Sequence, residues 1–303
     1  MKRAGCLLLA AAPVAITAAV YLLTPGSSDT DAPGDRAAAS APAQGAGDAK
    51  VRAEDEGTAE DEAIADAPPG LAAPDKKELA HQLVATARDS TTDWRTTYGI
   101  VEDVGDGRGY TAGIVGFCTG THDLLALVER YTESHPDNGL ARYLPALREV
   151  DGTDSHEGLD PGFTAAWQAE SRLPAFQEAQ EAERDDVYFD PAVRLAKLDG
   201  LGTLGQFVYY DAMVLHGPGT DADSFYGLRE RALEEAELPA RGGDEKAFLD
   251  AFLDVRRETM RTETASRDTS RIDTAQRRFL QAGNMDLSTP LTWGMYGETY
   301  QVP

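Results

Sequence analysis

Residues Val101–Gly113 read VEDVGDGRGYTAG, three acids and an arginine on a turn that glycines hold open. Gly105, Gly107 and Gly109 accept positive φ or close backbone approach. Ile100, Val101, Ile114, Val115 and Phe117 on either side are β-formers. The stretch predicts strand, sharp loop, strand, with Asp106 and Arg108 at the tip and Thr111 just beyond. A phosphate cradle would open a helix with its backbone N–H groups facing an anion, but here an aspartate is central and β-formers follow. An EF-hand loop needs oxygen ligands at alternating positions and a closing glutamate, and Asp103-Val104-Gly105-Asp106 lacks that spacing. Two readings stay open: a solvated hairpin turn, or a carboxylate displayed to a polar or cationic substrate.

Away from this hairpin, helical periodicity dominates. In DKKELAHQLVATARDS, Leu79, Leu83, Val84 and Ala87 mark one face, with Asp75 after Pro74 as the expected cap. THDLLALVERYTESHPDNG repeats the pattern through Leu124, Leu125, Val128 and Tyr131. Further helices fit Ala141 to Val150, Pro161 to Arg184, Ala192 to His216, Ser224 to Ala236, Glu245 to Arg261 and Ser270 to Ala282. The expected fold class is mainly α with one small β-hairpin at 100–118.

The chain has 303 residues and a formal net charge of −24. Its start is basic (Met1 to Arg3), then residues 4–23 are apolar apart from Thr17, about the length of a membrane span. Segment 1–24 is therefore expected to be a signal peptide or an N-terminal membrane anchor, which places the rest outside the cell, secreted or tethered to the membrane's outer face. No cysteine follows the run as a lipoprotein would require. Residues 25–73 are rich in Ala, Gly, Pro and acid and contain no aromatic residue, so they cannot bury enough apolar surface to offset chain entropy. They are expected to be a disordered acidic linker, and 74–303 the folded domain.

From residue 78 to 303 there are 40 Asp and Glu against 21 Lys and Arg, a net charge of about −19. That balance argues against nucleic acid and other polyanions and for a cationic partner, although acidic surfaces also serve solubility. Cys118 alone falls in the domain, so no internal disulfide is expected. His156 and His216 lack a second histidine at metal-ligand spacing; neither metal nor cofactor is expected, and the chain should be a monomer. Asp211, preceded by Tyr209 and Tyr210, is an acid in an apolar helix and needs cationic partners, which Arg256 and Arg271 on later helices could supply. Trp94, Trp167 and Trp293 are core or sugar-stacking residues.

Six long motifs occur in order: EDVGDGRGYTAGIVGFCTGT from Glu102, YLPALREVDG from Tyr143, ERDDVYFDPAV from Glu183, LGQFVYYDAMVLHGPG from Leu204, DTSRIDTAQRRFL from Asp268 and AGNMDLSTPLTW from Ala282. With them the chain resembles the family 46 glycoside hydrolases, secreted bacterial chitosanases, from about Pro74 to the C-terminus. The resemblance implies a two-lobed, lysozyme-like α+β fold, mostly helical, with a substrate cleft between the lobes. It also implies internal cleavage of β-1,4-linked glucosamine polymers with inversion. Inversion needs a protonated carboxyl for the leaving oxygen and an ionised one to activate water, about 6.5 to 9.5 Å apart. A polycationic substrate would suit the acidic surface.

By the same resemblance Asp106 is the general base, Thr111 helps hold the attacking water and Arg108 orients the loop. Asp123 and Glu263 bind glucosamine amines, and Asp211, Arg256 and Arg271 form an inter-lobe ion network. The sequence departs from the family at the general acid. There a glutamate stands eighteen residues before the loop aspartate; here ARDS places Arg88 at that position, which the resemblance puts among the substrate-binding residues. Arginine does not donate a proton near neutral pH. It also repels a cationic sugar by about 4 kcal/mol at 4 Å for an effective dielectric of about 20. Arg267 likewise stands where another substrate-facing acid is expected. Asp89 is the best substitute acid, although about 100° around the helix from residue 88, and Glu102 or Asp103 could approach from the hairpin. Three functions follow: a chitosanase with a displaced acid, a weakened or inactive relative that binds chitosan or another polyamine, or an enzyme whose Arg88 and Arg267 pair with an anionic group on a modified sugar.

Overall fold

The computed structural model describes residues 60–62, 64–263 and 267–303, Glu263 by its backbone alone. The expected signal or anchor segment 1–24 and most of the expected linker lie outside these residues. Packing begins before Pro74, because Leu71 is fully buried and its N–H donates to Gln206 Oε1 at 2.8 Å. Among the described residues no helix is long and apolar enough to cross a membrane.

The opening stretch forms a three-stranded antiparallel sheet, β1 (Val101–Asp103), β2 (Tyr110–Ala112) and β3 (Phe117–Cys118), in the order β1-β2-β3. Val101 pairs with Ala112 and Asp103 with Tyr110, while Thr111 pairs with Cys118. Gly105, Gly107 and Gly109 all take positive φ (73°, 84° and 67°), which only glycine adopts without strain in succession. A Cβ on Gly109 would lie 2.3 Å from Thr119 Oγ1, so the loop's exit is pressed against the segment after β3. The Tyr110 N–H donates to the same hydroxyl at 3.1 Å. Every residue of the central strand is buried, so the polar–apolar alternation of a one-sided sheet is absent.

Helix α1 (Pro74–Asp89) starts with proline in its first turn and ends where Ser90 enters the left-handed region at φ 54°. Ala73, not Asp75, holds its N-cap position, and Asp75 sits within the first turn, where its charge favours the helix N-terminus. Helices α2 (Asp123–Ser134), α3 (Leu144–Val150), α4 (Phe163–Glu170) and α5 (Pro174–Arg184) enclose the sheet's side of the core. Trp167 on α4 is fully buried and donates to the Tyr98 carbonyl at 2.9 Å. Helices α6 (Asp190–Leu198), α7 (Thr203–His216), α8 (Phe225–Glu235), α9 (Glu245–Glu263) and α10 (Arg277–Gln281) build the remainder. Thr203 through Met213 on α7 are all buried, which makes α7 a helix covered on every side.

Two expected helices are broken. The 161–184 run divides at Ser171–Leu173, since Pro174 forces the residue before it out of the helical region and Leu173 is extended (ψ 128°). The 192–216 run divides at Asp199–Gly202, where Gly200 turns at φ 80°. A second hairpin lies where no strand was expected: β4 (Leu291–Met295) pairs antiparallel with β5 (Glu298–Val302) across a two-residue turn. Tyr296 and Gly297 both take positive φ there (52° and 84°), the turn that matches strand twist. The alternation of buried Leu291, Trp293 and Met295 is its signature. Trp293 is fully buried and donates to Thr86 Oγ1 of α1 at 3.0 Å, tying this hairpin to the first helix. Trp94 is also buried, so all three tryptophans are core residues rather than sugar platforms.

Candidate active site

Where α1 ends, its last turn meets the β1–β3 sheet and leaves a cavity of about 360 Å³. One wall consists of Ala87, Arg88 and Asp89 with Glu102, Arg108, Thr111 and Gly116. The other consists of Val214 and Leu215 from α7, Met260 from α9, then Arg267, Asp268, Arg271 and Tyr296. The volume lies in the range of small-ligand sites. Tyr296, at the tip of the second hairpin, donates its hydroxyl to the Ala87 carbonyl at 2.6 Å.

Arg88 lies along the β2–β3 connection. Its Nη1 donates to the Gly113 carbonyl, and a Cβ on Gly116 would stand 2.8 Å from its Nε. The approach therefore needs glycine at 116. Its side chain is 14% exposed, and Nη1 is 3.6 Å from Asp89 Oδ2. Asp89 lines the same cavity because α1 stops at it. Its side chain is 7% exposed and Oδ2 has no hydrogen-bond partner. Burial pushes its carboxyl above the usual carboxylate range; the Arg88 charge opposes this and the Glu102 charge adds to it.

Asp106 is held by its loop. Arg108 Nε and Nη2 reach its Oδ2 at 2.9 and 2.7 Å, and the Arg108 N–H donates to Oδ1 at 3.1 Å. Burial alone would raise its pKa, but the hydrogen bonds and charge of Arg108 outweigh it and hold the carboxyl below its ordinary value. Asp106 is not itself among the residues that line the cavity; its partner Arg108 is. The two aspartates are displaced in opposite directions, Asp89 toward the acid form and Asp106 toward the ionised form. Thr111 lines the cavity with its hydroxyl 3.2 Å from Cys118 Sγ. Cys118 is a buried free thiol whose pKa burial raises, which makes it a poor nucleophile.

Asp123 is not brought into the cavity lining. One of its oxygens accepts from the N–H of Cys118 (2.8 Å) and of Leu124 (3.1 Å) and from Thr121 Oγ1 (2.7 Å), and the other from the Tyr188 hydroxyl (2.5 Å). Its carboxylate clamps the start of α2 to β3. Glu263 ends α9, and its side chain lies outside the described residues. Asp211 is 1% exposed; Arg256 Nη2 and Gln276 Nε2 donate to its Oδ2 at 2.9 and 2.6 Å, while Arg271 Nε lies 3.6 Å from Oδ1. Arg271–Gln276 is a π-helical turn, whose wide spacing lets Arg271 and Gln276 face one carboxylate. Asp268 and Tyr296 are cavity residues that sequence reading passed over, Tyr296 because its hairpin went unrecognised.

The model of glycosyl hydrolase family 46 matches residues 82–291. A curated chitosanase from Streptomyces sp. (strain N174) is 56% identical over 233 residues, 77% of this chain and 84% of that protein. A chitosanase from Nocardioides sp. (strain N106) is 52% identical over the same length, with the same shares. A chitosanase solved as a co-crystal with substrate superposes with a TM-score of 0.76 at 53% identity, covering 78% of this chain and all of the other. Fold and sequence thus define a glycoside hydrolase. The chain belongs to glycosyl hydrolase family 46.

Proposed function

We propose that this protein is an exported, endo-acting chitosanase that cleaves β-1,4-glucosamine linkages with inversion, using an acid displaced by one residue from the family's usual place. The observation that carries the reading is Asp89: a buried carboxyl whose Oδ2 accepts no hydrogen bond and lies 3.6 Å from Arg88 Nη1, biased toward its protonated form, in one cavity with Thr111 and Arg108. The chitosanase names of the similar proteins supply the substrate class. The net charge of the folded part favours capture of a polycation.

In this mechanism Asp89 donates its proton to the glycosidic oxygen as the bond to the anomeric carbon breaks. Asp106, ionised, takes a proton from a water that Thr111 helps to hold, and the resulting hydroxide oxygen bonds to the opposite face of that carbon. One carboxyl loses a proton and the other gains one, and exchange with solvent resets both. Arg108 keeps Asp106 ionised and fixes its direction. Digestion of soluble chitosan followed by proton NMR checks the stereochemistry. The α-anomer is expected to appear first and to mutarotate afterwards; the β-anomer as first product would exclude an inverting mechanism.

Arg88 itself favours a second reading, a relative that binds chitosan and turns it over weakly, since losing a positioned acid costs about 10²- to 10⁴-fold. Under it the NMR experiment yields no product although chitosan binds.

A further inference from the structure

The second hairpin lines the cavity through Tyr296, and this residue is held in a strained backbone conformation. Tyr296 takes φ 52°, and Ser90, which ends α1, takes φ 54°. The left-handed region is unfavourable for a bulky side chain and persists where the surroundings fix it. Hydrogen bonds fix it here. The Tyr296 N–H donates to Ser270 Oγ at 3.1 Å, the Ser270 hydroxyl donates to Asp268 Oδ1, and the Tyr296 hydroxyl donates to the Ala87 carbonyl at 2.6 Å. That carbonyl belongs to the last turn of α1, which ends at Asp89, so no amide of its own helix is there to pair with it. Attachment of the hairpin does not account for the contact. Tyr296 is 51% exposed, while fully buried Trp293 already fastens the hairpin to α1 through Thr86. Burial raises the pKa of the Tyr296 hydroxyl, although the Arg271 charge opposes it, so the phenol stays a donor through neutral pH.

We propose that Tyr296 is a positioning residue for Asp89: by capping the Ala87 carbonyl it fixes the last turn of α1, and with it the direction in which Asp89 presents its carboxyl to the glycosidic oxygen. The inference rests on the displaced-acid reading and names what holds that acid in place. Tyr296 acts through the backbone and touches no reacting atom. Without its hydroxyl the carbonyl turns to water and the final turn frays, and misplacing a reacting group costs a reaction far more than one lost hydrogen bond suggests. The charges of Arg88, on the same turn, and Glu102, on β1, both act on the Asp89 carboxyl, so a change in its direction also changes its electrostatic surroundings.

The test is kinetic, with the full chain on soluble chitosan. Tyr296→Phe, which removes one oxygen and leaves the ring, is expected to lower kcat about tenfold with KM within about twofold of the unmodified value, the pattern of an interaction realised in the transition state. In an Asp89→Asn background the same change should cost almost nothing, because residues that act through one another are not additive. An unchanged kcat, an equal loss in both backgrounds, or a raised KM at unchanged kcat overturns the inference, the last by making Tyr296 a substrate contact. The carboxyl titration of Asp89 by carbon NMR, assigned by its absence from Asp89→Asn, is independent of turnover. Its midpoint should fall toward the ordinary carboxylate value in Tyr296→Phe, as the frayed turn lets water reach the group. If nothing cuts, or if Asp89→Asn cuts as well as the unmodified protein, the displaced-acid reading ends and the titration alone decides. A fallen midpoint then upholds the placement of Asp89 by Tyr296, and an unmoved or higher one overturns it.

Discussion

Asp89→Asn is expected to lower kcat on chitosan by about 10²- to 10⁴-fold, the usual worth of a positioned general acid. The amide keeps the size of the carboxyl beside Arg88 but has no acidic proton to give. The pH profile of the unmodified enzyme gives a second check. Activity should fall at low pH as Asp106, whose pKa is lowered, becomes protonated, and fall at higher pH as Asp89, whose pKa is raised, loses its proton. Asp89→Asn should remove the upper limb. Stability should move the other way. A carboxyl whose folded pKa is raised contributes stability that is complete below its unfolded value, about 3.9, and is lost as pH rises through the folded value. At pH 7 the asparagine variant should therefore unfold at a higher temperature than the unmodified chain. A loss of activity together with a loss of stability would mark Asp89 as a structural residue instead.

Asp211→Ala is expected to cost about 3–5 kcal/mol of folding stability, because it leaves buried guanidinium groups without their shared anion. Arg256 is wholly buried and Arg271 nearly so, and Asp211 is the carboxylate they share. For a domain of this size the midpoint should fall by about 6–20 °C in a thermal scan. Asp211→Asn, which still accepts from Gln276 and Arg256 but carries no charge, should lie between the two. A midpoint within a degree or two of the unmodified protein would mean that these charges are neutralised elsewhere. Because Arg271 also lines the cavity, the same substitution should weaken substrate binding in the fraction that remains folded.

How much of this was legible beforehand depended on whether the information was local. The glycines at 105, 107 and 109 announced the loop through backbone freedom alone, and the need of Asp211 for arginines followed from the cost of burying a charge in an apolar helix. The breaks at Pro174 and Gly200 were also written in the chain, yet the apolar periodicity running through them masked them. The hairpin at 291–302 is hard to read from the sequence because Tyr-Gly is an unusual pair for a turn that favours Asn-Gly. The four donors that meet at Asp123 come from backbone and side chains that no spacing rule brings together. The place of Asp89 depended on where α1 stops. Ser90 in the left-handed region ends the helix one residue after Arg88 and leaves the aspartate at the cavity wall, although ideal helix geometry points residues 88 and 89 about 100° apart.

The central claim, that a family 46 cleft still cuts chitosan with arginine at the acid's usual position, is tested most directly by reducing-end release from soluble chitosan. The unmodified protein would be run beside Asp106→Ala and Arg88→Glu. The account predicts steady release by the unmodified protein and none by Asp106→Ala. An unmodified protein that binds chitosan without cutting it, together with cleavage gained by Arg88→Glu, would contradict the account and leave a binding protein descended from an enzyme.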